Sequence, residues 1–161
     1  MCFRKELEMD KARLDEVKRK NKILQVCKEW VNNGIEISIN DFYDIPTTLQ
    51  LQEKIIAKLN ELDSQKKYII CKNKEEIETF LNYTNKVICK SMKYAFFMAD
   101  ATKLGALKLQ GNIIFNNIEY VISKSEILNG GCSIFLCSCS LENGICLWRG
   151  EYDSRVYFWL L

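Results

Sequence analysis

Residues 130–161 read GGCSIFLCSCSLENGICLWRGEYDSRVYFWLL, and this stretch decides the fold. It contains three short apolar runs, separated by turn-forming residues at 141–144 and 150–154. Runs of four to eight residues rich in Ile, Val, Phe, Tyr and Trp, bounded by Gly, Asn, Asp and Ser, are typical of β-strands. The stretch therefore predicts an antiparallel meander of three strands at the C-terminus.

Upstream of the meander, the pattern predicts a strand, a helix and a second strand. Residues 67–71 and 94–99 are short apolar strand candidates, with about fifteen helical residues between them. We expect Asn73 to cap this helix, with Glu76 as its partner in a capping box. The three elements predict a βαβ unit, which would be right-handed if its strands are parallel. Residues 104–122 predict one or two more strands, or a strand and a short helical turn.

The N-terminal part is predicted to be helical. Residues 3–32 carry apolar side chains on one helical stripe, and Asn33-Gly34 supplies the stop signal. We expect Thr47 to cap a second helix that runs to about Leu62. The alternation at 35–39 fits either an edge strand or an extended loop.

These elements predict an α+β fold in a single domain of residues 1–161. N-terminal helices, the βαβ unit and the C-terminal antiparallel meander would form one mixed sheet covered by helices. Within that domain, residues 1–33 form the long amphipathic helix and residues 67–161 form the sheet core.

Composition excludes several classes of function. The 161 residues include 23 Lys and Arg against 21 Asp and Glu, so the net charge of +2 gives no global argument for a nucleic-acid or membrane partner. No apolar run approaches the roughly 20 residues that cross a bilayer. The N-terminus has no apolar signal-peptide core, so we expect a cytoplasmic protein.

The chain contains no histidine. This excludes Ser-His-Asp and Cys-His catalysis and every metal site that needs an imidazole ligand. Neither of the glycine-rich nucleotide-binding motifs is present. We therefore expect a protein that is not an enzyme and needs no cofactor.

Eight cysteines are expected to be reduced thiols, because a chain without a secretory signal stays in a reducing compartment. Four of them, Cys132, Cys137, Cys139 and Cys146, leave a tetrahedral structural zinc site open as an alternative. Strand alternation places Cys137 and Cys139 on one face with Phe135, which favours packing in the core.

The candidate site lies in the turns of the C-terminal meander. Tyr, Trp and Arg side chains anchor protein interfaces, and acidic side chains at the rim steer a basic partner. We expect partner contacts from five residues there, with a weaker candidate upstream: Glu142, Arg149, Glu151, Tyr152 and Asp153, then Asp100. The alternative is an ordinary terminal hairpin with a polar turn.

The segment 94–100 (YAFFMAD), followed by 104–109 (LGALKL), resembles a known protein family. The later segments 143–147 (NGICL) and 151–153 (EYD) and the closing aromatic strand add to the likeness. Together, over residues 67–161, the chain resembles bacterial immunity proteins of polymorphic toxin systems. The nearest are those that neutralise the tRNA-nuclease domains of wall-associated and contact-dependent inhibition toxins.

The resemblance implies a cytoplasmic non-enzyme that binds the C-terminal domain of one cognate toxin and blocks its active site. It assigns no catalytic residues. We expect a monomer or homodimer that, on this reading, binds neither membrane nor nucleic acid. A different class of function stays open: a small nucleic-acid-associated or regulatory protein that uses the N-terminal helix, where residues 1–30 carry nine Lys and Arg against six Asp and Glu.

Overall fold

A computed structural model describes residues 2–72 and 74–161 of the chain, with side chains from residue 8 onward. The chain divides into two compact units, one ending at Phe42 and one spanning Tyr43–Leu161. The single domain expected over residues 1–161 stays a prediction. No helix in the described part of the chain is long and apolar enough to cross a membrane.

The first unit consists of the long helix α1 (Cys2–Asn32), an extended segment and a 3-10 turn (Ile39–Asp41). The predicted helix is confirmed, and its end follows from Gly34, whose φ of 78° is left-handed. The amide of Gly34 donates to the carbonyl of Val31 at 2.9 Å. Of the two predicted alternatives for residues 35–39, the structure shows the loop: residues 35–38 form no strand, and Ile39 begins the 3-10 turn.

The apolar stripe predicted along α1 is buried at Ile23, Cys27 and Trp30, which widen it toward the C-terminal end, and its other described members are exposed. The side chains of Leu14, Val17, Leu24 and Val31 are all about half exposed. Phe3 and Leu7, which belong to the same predicted stripe, lie outside the residues whose side chains are described.

The described residues of the second unit form five further helices, six strands and a 3-10 turn at Glu126–Leu128. The helices are α2 (Ile45–Ser64), α3 (Glu76–Val87), α4 (Ala101–Leu104), α5 (Gly111–Asn116) and α6 (Ile118–Ser123). The strands are β1 (Ile69–Cys71), β2 (Lys93–Phe96), β3 (Leu107–Gln110), β4 (Ser133–Ser138), β5 (Gly144–Arg149) and β6 (Ser154–Trp159).

The six strands form one sheet in the order β1-β6-β5-β4-β2-β3. The predicted meander is confirmed as β4, β5 and β6, and the α+β class is confirmed with it. The mixed sheet is wrong, because every strand pair among the described residues is antiparallel. β1 and β2 do run in the same direction around α3, but the meander lies between them and supplies an antiparallel neighbour to each.

Helices cover both faces of the sheet. On one face, α2 contributes Leu51, Ile55, Leu59 and Leu62 to a core that includes Phe135, Cys146, Tyr157 and Trp159. On the other face α3 packs against β5 and β6, and the ring of Tyr83 stacks on Phe158 with centroids 4.9 Å apart. Each face buries a row of alternating strand side chains, which is the pattern that the sequence shows.

Trp159, the last aromatic residue of the meander, stabilises the turn between β4 and β5. The indole of Trp159 donates to the carbonyl of Leu141 at 2.9 Å, and its ring lies directly over Gly144. A β-carbon at residue 144 would stand 2.1 Å from that ring, so the strand needs glycine there.

The helix caps differ from the sequence prediction. Asp44, rather than Thr47, caps α2: its carboxylate accepts from the amide of Thr47 at 2.7 Å, and Pro46 occupies the first turn. At α3 the predicted cap Asn73 lies outside the described residues. Glu76 is buried and turns toward the sheet instead of the helix end, because Arg149 and Ser154 bind its carboxylate.

Candidate functional site

A groove of about 510 Å³ opens where the β5–β6 turn meets the second half of α2. We call it the hairpin groove. It is lined by Ile56, Leu59, Asn60, Asp63, Trp148, Gly150, Glu151, Tyr152, Asp153, Arg155 and Tyr157. Spacings of four and three residues place Ile56, Asn60 and Asp63 on one stripe of α2, and strand pairing sets Trp148 directly opposite Arg155.

The turn itself projects two side chains. The amide of Gly150 donates to the carbonyl of Asp153 at 2.7 Å and closes the turn. Glu151 and Tyr152 are the two central residues, so their side chains leave the sheet. Tyr152 is 90% exposed, which is far more than a tyrosine normally shows in a folded domain.

Trp148 forms an aromatic wall of the hairpin groove. Its ring stacks on buried Phe135 with centroids 6.1 Å apart and an interplanar angle of 26°, while 39% of the side chain stays exposed. Ile56, on the opposite wall, is 41% exposed. The groove therefore presents apolar surface to solvent on a support that is packed from behind.

Arg155 crosses the floor of the groove in a network of polar contacts. Its guanidinium donates to Asp63 at 2.7 Å and lies 3.6 Å from a carboxylate oxygen of Asp153. It also lies 4.7 Å from the ring centroid of Tyr68. The hydroxyl of Tyr157 donates to Asp63 at 3.0 Å, and burial raises the pKa of that tyrosine. These contacts hold side chains from α2, from β6 and from Tyr68, the residue before β1, in one arrangement.

The lining is acidic although the whole chain is slightly basic. Three carboxylates (Asp63, Glu151 and Asp153) against one guanidinium (Arg155) give a formal charge of 1 − 3 = −2, whereas the chain carries +2. Within the described part of the chain Glu151 has no ion-pair partner. The groove thus holds uncompensated negative charge beside exposed aromatic rings.

The structure brings three of the predicted site residues together and separates the others. Glu151, Tyr152 and Asp153 line the hairpin groove. Glu142 lies at the opposite end of β5, where it accepts from Ser140 at 3.1 Å. Asp100 precedes α4 on another loop and lies 3.8 Å from Lys103.

Arg149, also predicted to contact a partner, faces the other side of the sheet. Its guanidinium binds the carboxylate of Glu76, with Nε at 3.0 and 3.3 Å from the two oxygens, and the hydroxyl of Ser154 donates to the same carboxylate. Burial alone would raise the pKa of Glu76, but the hydrogen bonds from Arg149 and Ser154 outweigh burial and lower it. This cluster, the Glu76 clamp, fastens the start of α3 to both strands of the hairpin.

Sequence reasoning missed the α2 side of the groove. Asp63 and Ile56 come almost a hundred residues before the hairpin, and in the sequence they read as ordinary positions near the end of an amphipathic helix. The available signal was the arginine at 155 beside aromatic residues at 157 and 159, since an arginine on a buried strand face needs an acidic partner.

The cysteines whose side chains are described are separate thiols. All described cysteines are free, and no group of three or more Cys, Asp or Glu in the described part of the chain is placed to hold a metal ion. Cys137 and Cys146 are fully buried in the core, as the alternation indicates for Cys137. Burial raises the pKa of Cys137 to about 12.

Alkylation should therefore distinguish the thiols. Among the described cysteines we expect Cys89 to react first with iodoacetamide, because it is exposed and a hydrogen bond with Ser91 lowers its pKa. Cys137 and Cys146 should react only after unfolding. Peptide mass spectrometry after timed labelling, with and without urea, measures both. Rapid labelling of Cys146 in the native protein would contradict the buried position.

Comparison with known proteins gives a family without an activity. The profile described as "YxiF protein" matches residues 26–159, which is most of the chain and includes the whole hairpin groove. No curated protein and no solved structure matches the chain. The extent of the profile match shows that this chain belongs to the YxiF protein family.

Proposed function

We propose that the chain is an immunity protein that binds the C-terminal domain of a cognate bacterial toxin and neutralises it by covering its active site. The hairpin groove is the observation that carries this proposal. It combines exposed aromatic side chains, a net negative charge and a rigid support, which are the features of a surface that binds another protein.

An inhibitor that acts by steric exclusion needs no catalytic residues of its own. A rigid surface that fits over the toxin's active site excludes substrate without any catalytic group. The β5–β6 hairpin meets the requirement for rigidity, since the Glu76 clamp holds it on one face and the Asp63–Arg155 contact on the other. Because these contacts exist before binding, little conformational entropy is lost when the partner docks.

The local charge favours a nuclease as the target. A nuclease must attract phosphates, so its substrate groove is lined with Lys and Arg. The chain's total charge of +2 would repel such a surface weakly, but the formal charge of −2 in the hairpin groove attracts it over a short range. The position of the acids therefore matters more than the total charge.

Neutralisation can be measured directly in growing cells. We expect co-expression of this chain to restore growth to cells that produce its cognate toxin domain. The purified pair should appear as a one-to-one complex in native mass spectrometry and should suppress tRNA cleavage in vitro.

Two results would overturn the proposal. One is a toxin domain that keeps its activity in the presence of excess folded chain. The other is capture of the chain from its host with bound RNA that salt releases and that deletion of residues 1–22 abolishes, because such binding belongs to a nucleic-acid protein.

A further inference from the structure

We infer that the hairpin groove receives a lysine or arginine side chain from a basic segment of the partner protein. The partner's identity rests on the proposed function, but the chemistry of the occupant follows from the groove itself. Its carboxylates would bind the cationic end of the side chain, and its aromatic walls would cover the methylene groups.

The aromatic side chains and the carboxylate of Glu151 lie together at the opening of the hairpin groove. Trp148 offers one ring face because Phe135 occupies the other, and Tyr152 stands free at the tip of the turn. Glu151, next to Tyr152 in the chain, has no ion-pair partner among the described residues. A cationic side chain placed between these groups would form an ion pair with Glu151 and, at the same position, would contact the faces of the aromatic rings.

Arg155 shows that this part of the protein accommodates a guanidinium. It already contacts Asp63 and Asp153 and lies over the ring of Tyr68, so an internal arginine uses the same combination of acid and aromatic ring. A volume of about 510 Å³ above it leaves room for a second long side chain and the backbone that carries it.

Other occupants fit less well. An acidic segment would meet three carboxylates at short range, and like charges brought together at an interface oppose binding. A wholly apolar segment would bury Glu151 without a partner, which costs free energy because the carboxylate loses its water. A basic segment satisfies both the rings and the acids.

Short peptides test the inference without the toxin. We would titrate ¹⁵N-labelled protein with acetyl-Gly-Ser-Arg-Ser-Gly-amide and with two analogues that carry citrulline or glutamate in place of arginine. Citrulline has nearly the shape of arginine but no charge. The arginine peptide should produce saturable shifts at the Trp148 indole and at the amides of residues 150–153, with a dissociation constant of about 1–10 mM, as expected for a single side chain.

Two charge-neutralising variants localise the effect. Glu151→Gln should weaken the arginine peptide about three- to tenfold, in line with loss of one partly exposed ion pair. Glu142→Gln removes another exposed acid, at the opposite end of β5, and should leave the titration unchanged. Equal shifts with the citrulline peptide, stronger binding of the glutamate peptide, or insensitivity to Glu151→Gln would overturn the inference.

The same titration separates this inference from the proposed function. If the arginine peptide binds as described and the toxin domain is not inhibited, the groove is a cation site in a protein with another partner. If the toxin is inhibited and the titration is flat, the immunity function stands and this assignment of the groove is wrong.

Discussion

Glu76→Gln should destabilise the protein by about 2–4 kcal/mol, because it leaves a half-buried arginine without its charged partner. The side chain of Glu76 is only 2% exposed, and its carboxylate accepts from both Arg149 and Ser154. A glutamine has nearly the same shape, but its amide NH₂ replaces one carboxylate oxygen. This NH₂ group is a donor, and it would face the donors of Arg149 and Ser154. Urea unfolding followed by circular dichroism measures the change.

The Glu76 clamp also predicts how stability depends on pH. The pKa of Glu76 is lowered in the folded state from its ordinary value of 4.5, so its contribution is complete above that pH. It is lost as the pH falls below 4.5 and through the folded-state pKa. The difference in stability between wild type and Glu76→Gln should therefore be largest near neutrality and should shrink with acidification.

Glu78→Gln is the matched control for both experiments. Glu78 lies on the same helix, two residues later, and is exposed. Its substitution should change stability by less than about 0.5 kcal/mol, as is usual for surface positions. Equal effects of the two substitutions, or a Glu76→Gln difference that grows at low pH, would show that the clamp does not stabilise the fold.

Trp148→Ala and Tyr152→Ala should each weaken toxin binding about 30-fold, which corresponds to the roughly 2 kcal/mol that a central aromatic residue contributes to an interface. The two residues act on one groove, so we expect the double variant to lose neutralisation in cells altogether. Isothermal titration with the purified toxin domain gives the affinities, and thermal melting checks that each variant is folded.

Phe115→Ala provides the comparison. Phe115 shows the same exposed fraction as Trp148, 39%, but lies on α5 and outside the hairpin groove. Its loss should leave affinity unchanged within about twofold. If Phe115→Ala weakens binding as much as Trp148→Ala, the toxin uses a different face, and the groove has another role.

The sequence predicts the meander well because each strand carries its own evidence. Alternation along β4 correctly places Cys137 with Phe135 on a face that is buried in the core. The neighbours of β1 and β2 in the sheet are harder to predict. The apolar pattern of a strand shows that the strand is buried, but it does not show which strand lies beside it. Chain order predicts that β1 and β2 lie together in one βαβ unit, whereas the sheet places three strands between them.

The candidate site is predictable to the extent that it is local. Glu151, Tyr152 and Asp153 are consecutive, so a tight turn brings them together whatever the rest of the fold does. Asp63 joins them only because α2 crosses the same face of the sheet, and no short-range pattern reports that. Arg149 and Glu142 are close to the groove in sequence but lie away from it in the structure. The pleat of β5 turns Arg149 to the other face of the sheet, and the length of β5 separates Glu142 from the turn.

The Glu76 clamp has a consequence for how such a protein can change during evolution. The hairpin is fastened at Arg149 and Ser154, immediately before and after the turn, while Glu151 and Tyr152 at its centre support no part of the core. Substitutions at these two positions therefore carry almost no penalty in folding. Under the function proposed above, exchanging these two residues would change the toxin that is recognised while leaving the scaffold intact.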